Sequence, residues 1–296
     1  MIESRRVGDY VFSVLNYTFL ILLSAATLFP FINLLAISLN DPLDTVKGGI
    51  YLWPREFTFS NYFYTFNNEK LFGAALRSVL RTVVGSILGV LTTAFIAYAL
   101  SRKEFMLRKS MNLFLVFTLY LNAGLIPVYL LIKEIGLMNT FAVYILPTLV
   151  SAYNIMIMRS YFEQLPEGVI ESSKIDGANE FQTLFRIVMP MSMPVVATIT
   201  LFVAVMHWNS WFDNYLYTSR DANLSLLQFE LQKILMSSIN QVFAKGDSSS
   251  VRQALGASPQ SIRSAITIVV TLPILFVYPF LQRYFVKGIT IASIKE

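Results

Sequence analysis

The sequence predicts an all-α integral membrane protein with six transmembrane helices, both termini cytoplasmic, and a cytoplasmic helix pair between spans four and five. Three observations carry that expectation. First, 55% of the 296 residues are hydrophobic and only 14% are charged, with mean hydropathy +0.58. A soluble domain of this length carries about a quarter charged residues. Second, the apolar residues fall in long blocks, and a spanning helix needs roughly 20 mainly apolar residues. Third, short basic segments lie in alternate connections, the pattern that sets orientation in a membrane.

Six blocks have the required length: about 11–39, 76–100, 110–132, 141–160, 191–217 and 264–286. Pro30, Pro127 and Pro147 fall inside them, as spans tolerate. In the second block Gly85 and Gly89, followed by Ala94 and Ala97, have the small-residue spacing that lets helix backbones approach closely. The basic residues Arg5, Arg6, Arg102, Lys103, Arg108, Lys109, Arg159, Lys174, Arg186, Arg283, Lys287 and Lys295 fall on one side of this topology. The longer connections on the other side hold eight. The basic-rich side is therefore read as the inside. Arg77, Arg81 and Arg263 sit at outer span ends, where such side chains snorkel.

Composition also excludes. There are no cysteines and one histidine, His207, so neither a disulfide framework nor a cysteine or histidine metal site is expected. The net charge of +5 fits lysine and arginine facing anionic lipid, and no nucleic-acid partner is expected. The first apolar block lacks a small-residue cleavage site and is read as a retained span. No G-x-x-x-x-G-K-[ST] phosphate loop is present, so the chain does not supply the usual ATP site.

Two outer segments are long enough to have structure. Residues 40–75 combine the turn-rich DPLDTVKGG with the aromatic run FTFSNYFYTF. Residues 218–263 contain helical apolar spacing at Leu227, Leu231, Ile234 and Leu235, then the polar stretch AKGDSSS.

The inner segment LPEGVIESSKIDGANEFQTLFRIVMPMSMP reads as two short helices joined at a glycine. Pro166 and Glu167 suit a helix N-terminus. Gly177 stands where a C-terminal glycine cap belongs. Asn179, with Gln182 three residues on, forms a capping-box pattern. Phe181, Leu184, Phe185, Val188 and Met189 make an apolar stripe on the second helix. Such a pair is either a docking surface for a partner or an amphipathic helix on lipid.

At this segment the chain resembles the permease subunits of binding-protein-dependent ABC importers. Their signature is E-A-A, three residues, G, nine residues, then I-x-L-P. Here Glu171, Ser172, Ser173, Gly177, Ile187, Val188, Met189 and Pro190 stand at that spacing, with serine for both alanines and methionine for leucine. Asp176-Gly177-Ala178 matches the extended D-G-A form. GLIPVYLLIKEIGLMNT at 124–140, HWNSWFDNYLY at 207–217 and the ending YFVKGITIASIKE are similar to the carbohydrate class, in particular to maltose-type second permeases serving oligosaccharides from complex polysaccharides.

The resemblance implies a single ABC-importer transmembrane domain over 1–296, with residues 165–190 as its coupling segment. It implies a second homologous permease subunit, two ATPase subunits that bind ATP and magnesium, and an extracytoplasmic solute-binding protein. The implied setting is a bacterial cell membrane, and no cofactor is expected in this chain. Glu171, Ser172, Ser173, Asp176, Gly177, Ile187 and Pro190 would face the ATPase. The 218–263 loop would meet the solute-binding protein. The tail, where Ile289, Ile291 and Ile294 are interleaved with small and polar residues after a bend at Gly288, would enter between the ATPase subunits as an extended segment; the alternative is a plain terminus.

Sugars are held by aromatic faces with amide and carboxylate hydrogen bonds. Polar groups within spans usually face a cavity or a partner. Tyr120, Asn122, Tyr153, Asn154, Trp208, Asn209, Trp211, Asp213 and Asn214 are the pathway candidates. The same tryptophans and tyrosines fit an interfacial aromatic belt, and the asparagines fit helix-to-helix bonding. His207 suits a structural hydrogen bond. Two rival readings are an ABC permease for a non-sugar solute and a secondary transporter. An intramembrane enzyme would need paired acidic residues, and Asp213 is the only acidic residue in the six blocks.

Overall fold

The structure is a computed structural model that describes residues 7–67, 69–121, 123–243 and 258–292. Among the described residues there is no β-strand, only an isolated bridge between Asn40 and Phe57. The chain divides into two compact units, Met1–Glu69 with Lys233–Thr271, and Lys70–Gln232 with Leu272–Glu296.

The first unit opens with α1 (Val7–Ser38), whose side chains are mostly exposed, as expected of a helix that faces lipid. The DPLDTVKGG stretch then folds tightly. Asp41 caps α2 (Pro42–Val46), accepting from the backbone of Leu43 and Asp44. The buried Asn40 side chain ties the segment together. Its Nδ2 donates to Asp44 Oδ2 and Thr45 Oγ1, each at 3.1 Å, and its Oδ1 accepts from the backbone of Arg55 and Glu56. The aromatic run becomes α3 (Ser60–Asn67), and Asn61 Nδ2 donates to the carbonyls of Ser38 and Asn40.

The second unit is built on α4 (Glu69–Ser101), longer than the expected 76–100 block. Its buried face of Val90, Ala94, Ala97 and Tyr98 packs with Ile155, Met158 and Phe162, with Leu184 and Val188, and with Val195, Ile199 and Val203. In lipid, apolar contact between helices gains little from water exclusion, so close fit must hold them together. Gly85 and Gly89 supply that fit. A Cβ on Gly85 would lie 2.6 Å from Cδ2 of His207, and one on Gly89 would lie 3.1 Å from Val203.

Three expected spans are interrupted. The 110–132 block is α5 (Arg108–Tyr120) followed by α6 (Leu125–Glu134), with Gly124 at φ 83° before α6. The 141–160 block begins as two 3-10 turns, Phe141–Tyr144 and Leu146–Thr148, and continues as α7 (Ala152–Phe162) after a 50° bend. Pro147 has no N–H for a continuous helix, and Ser151 caps α7 as a new start. The 191–217 block breaks at Ser210 between α11 (Met193–Asn209) and α12 (Phe212–Tyr217).

Ahead of α11, the segment that carries the signature spacing forms α8 (Glu167–Ile175), α9 (Glu180–Thr183), a π-helical turn at Leu184–Val188 and α10 (Met189–Met191). Later come α13 (Leu227–Phe243), where the apolar spacing predicts a helix, and α14 (Pro259–Ala292). The backbone of α14 continues helically through Gly288 to Ala292, which overturns the expected bend and extended tail. One glycine inside a helix costs only about 1 kcal/mol relative to alanine and need not end it. The AKGDSSS stretch and the last four residues lie outside the described residues.

Three described helices, Tyr10–Ser38, Lys70–Ser101 and Gln260–Val277, are each long and apolar enough to cross a membrane. If each bent pair is one span, the number rises to six.

Candidate functional site

The signature segment is a rigid elbow. α8 ends where a glycine cap would end it: Asp176 is the C-cap and Gly177 takes φ 82°, a left-handed conformation that any Cβ would strain. The capping box at Asn179 and Gln182 is formed in both directions. The two helices lock through small side chains. Ser173 is 5% exposed, donates to the carbonyl of Ile170, and lies 3.2 Å from Thr183 Oγ1. Glu171, Ser172, Asp176 and Pro190 are exposed, and Ile187 is half-buried. Among the signature residues Ser173 and Gly177 thus shape the elbow, while Glu171, Ser172, Asp176 and Pro190 are presented outward.

The apolar stripe divides too. Leu184 and Val188 are fully buried in the core, whereas Phe181 and Phe185 remain exposed while meeting Phe95 of α4 edge-on, with ring centroids 5.8 and 5.6 Å apart. Ile175, the last residue of α8, is also exposed, at 86%. The π turn stands just before Pro190, whose missing N–H loosens regular helix pairing. The chain then bends 89° into α11.

Polar contacts tie the elbow to the end of α4. Tyr98 donates to Glu180. Lys174 bridges Glu180 at 3.0 Å and Glu104 at 3.3 Å, and Lys103 pairs with Glu167 at 2.9 Å. The hydrogen bond to Glu180 raises Lys174 above the ordinary lysine range, aided by Glu104 and opposed by partial burial. Lys103 holds Glu167 below the usual carboxylate range. Sequence reasoning gave no role to Tyr98 or Glu180. The available signal was a tyrosine one turn before the basic SRK run.

A second network lies at the other end of α4. Arg81 is 1% exposed, which corrects the expectation that it snorkels. It pairs with Asp213, donates to the Ser210 carbonyl at 3.2 Å, and places its Nε 3.4 Å from His207 Nδ1. Its guanidinium stands 4.8 Å from the centre of the Tyr144 ring. The Tyr144 hydroxyl donates to the Leu224 carbonyl and is also hydrogen-bonded to Thr218. An arginine buried in a span needs a partner, and an acidic side chain or a backbone carbonyl can serve. Asp213, the only acidic residue within the blocks, was the signal that could have paired them.

The pathway candidates do not form one cluster of free polar groups. Asp213 is occupied by Arg81. Asn214 is fully buried, with Nδ2 donating to Thr218 at 2.7 Å and Oδ1 accepting from the Leu226 backbone at 2.8 Å. Its amide is spent inside the chain, a correction to its placing as a sugar contact. Trp208 and Asn154 are buried, and Trp211 is half-buried with its ring edge-on to Phe212. Asn209 is exposed and accepts from Gln228. Tyr120 and Tyr153 are exposed at 84% and 58%. Asn122 lies outside the described residues.

The two networks stand apart along one helix. The 17 residues from Arg81 to Tyr98 rise about 26 Å at 1.5 Å each, close to the roughly 30 Å of a bilayer's hydrocarbon core. Apolar helices with polar ties at this separation define a multi-span membrane protein.

The chain belongs to the family of binding-protein-dependent transport system inner membrane components, which it matches over residues 4–291. It is 34% identical over 285 residues to the polygalacturonan/rhamnogalacturonan transport system permease protein YtcP of Bacillus subtilis, covering 96% of this chain and 98% of that one. It is also 34% identical to the protein LplC of the same organism, covering 96% and 95%. Among solved structures it is similar to a bacterial ABC transporter involved in import of the acidic polysaccharide alginate. There the TM-score is 0.86 and the identity 27%, over 95% of this chain and 99% of the other.

Proposed function

We propose that this chain is one of two permease subunits that line the path of an ATP-driven oligosaccharide importer in a bacterial cell membrane. A solute-binding protein would deliver the cargo, and two separate ATPase subunits would drive its passage. The observation that carries this reading is near-full-length similarity to a permease named for polygalacturonan and rhamnogalacturonan, joined to fold similarity with an alginate importer. Six spans with both termini inside give the topology this reading needs.

The elbow at Glu167–Pro190 supports a coupling role. Glu171 and Asp176 present carboxylates, and Ile175 and Phe181 present apolar surface. Ser173 and Gly177 keep the elbow's angle. The Tyr98–Glu180 and Lys174–Glu180 ties connect it to α4, so displacement of the elbow by the ATPase would be transmitted to a spanning helix. At the far end, the Arg81–Asp213 pair would hold the α11–α12 break that positions Trp208 and Trp211.

The test is reconstitution of the chain with its partner permease, ATPases and solute-binding protein in vesicles, followed by uptake of labelled galacturonate oligomers. Uptake that requires ATP and the binding protein is expected. Uptake driven by an ion gradient without ATP would favour the secondary-transporter reading, and no uptake of any oligosaccharide would sink the sugar assignment.

A further inference from the structure

Beside the Arg81 network lies a cavity of about 460 Å³, lined by Tyr129, Lys133, Met138, Asn139, Leu216, Tyr217, Ser219 and Arg220. Two cations and no acidic side chain line it. Among the described residues neither Lys133 nor Arg220 takes part in an ion pair. Both are exposed, so their heads are hydrated and open to a ligand.

The walls are held in place. Tyr129 and Tyr217 stack with ring centroids 6.1 Å apart and planes 14° from parallel. Asn139 takes φ 53°, and its N–H donates to the Tyr217 carbonyl at 3.1 Å, which fixes the loop after α6 against the end of α12. Asparagine tolerates this left-handed conformation better than other non-glycine residues, and the hydrogen bond to Tyr217 holds it there. Tyr217 packs in the same apolar cluster as Tyr144 and Leu226, and Tyr144 lies beneath Arg81. The cavity therefore belongs to the end of α4 opposite the signature elbow. If the elbow is inside, the cavity faces the side from which cargo arrives.

We propose that this cavity is an entry site for an acidic oligosaccharide. Lys133 and Arg220 receive the carboxylate of a uronate residue, while the Tyr129–Tyr217 pair, Ser219 and Asn139 offer ring and polar contacts to the sugar. The assignment rests on the reading of the chain as an oligosaccharide permease and narrows its cargo to carboxylated sugars. Guanidinium and ammonium groups form charge-assisted bonds to carboxylates, and a cavity of this size admits one or two sugar rings. The same charges suit an anionic lipid headgroup. A concave site with paired aromatic walls and a restrained polar loop favours the saccharide.

The experiment compares two cargoes of equal length in the reconstituted complex, galacturonate trimer and its methyl-esterified, uncharged counterpart. Solvent-exposed ion pairs each contribute roughly 0.2–1 kcal/mol, at most about fivefold apiece. The Lys133→Gln/Arg220→Gln double variant is therefore expected to raise KM for the acidic trimer about tenfold, with kcat kept and uptake of the ester unchanged. Lys133→Arg is expected to retain most of the preference. Raising salt should erode the wild-type preference for the acid, because exposed charges are screened. Equal loss for acid and ester would assign the cations to lipid or to assembly and overturn the site. Unchanged uptake of both would overturn it too. If the wild-type complex carries only the ester or another neutral sugar, the site is wrong and the permease reading stands. If it carries no oligosaccharide, both fall.

Discussion

Arg81 on α4 and Asp213 on α12 form a buried ion pair across 132 positions of sequence. Removing one partner of such a pair leaves an uncompensated charge and costs about 3–5 kcal/mol. Asp213→Ala is therefore expected to lower thermal stability in detergent by several degrees and to reduce membrane yield. The Arg81→Met/Asp213→Leu double variant should recover much of that loss, because it buries no lone charge. A single Asp213→Ala variant that unfolds with the wild type would remove the pair from any structural role.

Gly85 and His207 occupy one small volume. Gly85→Ala would drive a methyl into the imidazole, and overpacking of this kind costs about 1–3 kcal/mol. The His207→Ala change should partly relieve Gly85→Ala when the two are combined, even though it removes the ring beside Arg81. Thermal unfolding of the four-member cycle measures the coupling. Strict additivity would mean that the two residues do not compete for space.

The paired serines of the signature should behave differently. Ser173 lies inside the elbow and Ser172 outside it. Ser173→Leu is expected to disrupt the α8–α9 contact and lower stability by about 1–3 kcal/mol, whereas Ser172→Leu should leave the chain stable. Glu171→Ala and Gly177→Pro should leave insertion intact but weaken ATPase association and abolish uptake. Proline cannot take the positive φ at 177. Co-purification with the ATPase separates these outcomes, and normal uptake by both Glu171→Ala and Gly177→Pro would end the coupling assignment.

The segment from Asn40 to Tyr62 should be sensitive to acid. The Asp44 carboxyl is held below the usual range first by the Asn40 hydrogen bond, then by Arg55 and Lys47, against burial, which pushes it up. A carboxyl lowered on folding contributes stability that is fully present above its unfolded pKa, about 3.9. That contribution is lost as pH falls through the lower folded value. Limited proteolysis at 40–62 is expected to accelerate below about pH 4, and Asp44→Asn should flatten that dependence. An equal acid response in Asp44→Asn would shift the cause to another group.

Much of this chain was legible in its sequence because the determinants are local. Apolar blocks of spanning length, the glycine cap at 177, the Asn179 capping box and the helical spacing of 227–235 depend on residues within a few turns of one another. The signature spacing from Glu171 to Pro190 carried the family in the same way. Tertiary structure alone decided which polar residues face each other. Sequence spacing could not bring Arg81 to Asp213 or Tyr98 to Glu180, or set Lys133 and Arg220 around one cavity, since each depends on how distant helices fold back. It also decided that Asn214 is spent inside the chain and that the 141–160 and 191–217 blocks break. Hydropathy records whether a stretch tolerates lipid. It does not record where a helix must interrupt itself so that a buried charge meets its partner.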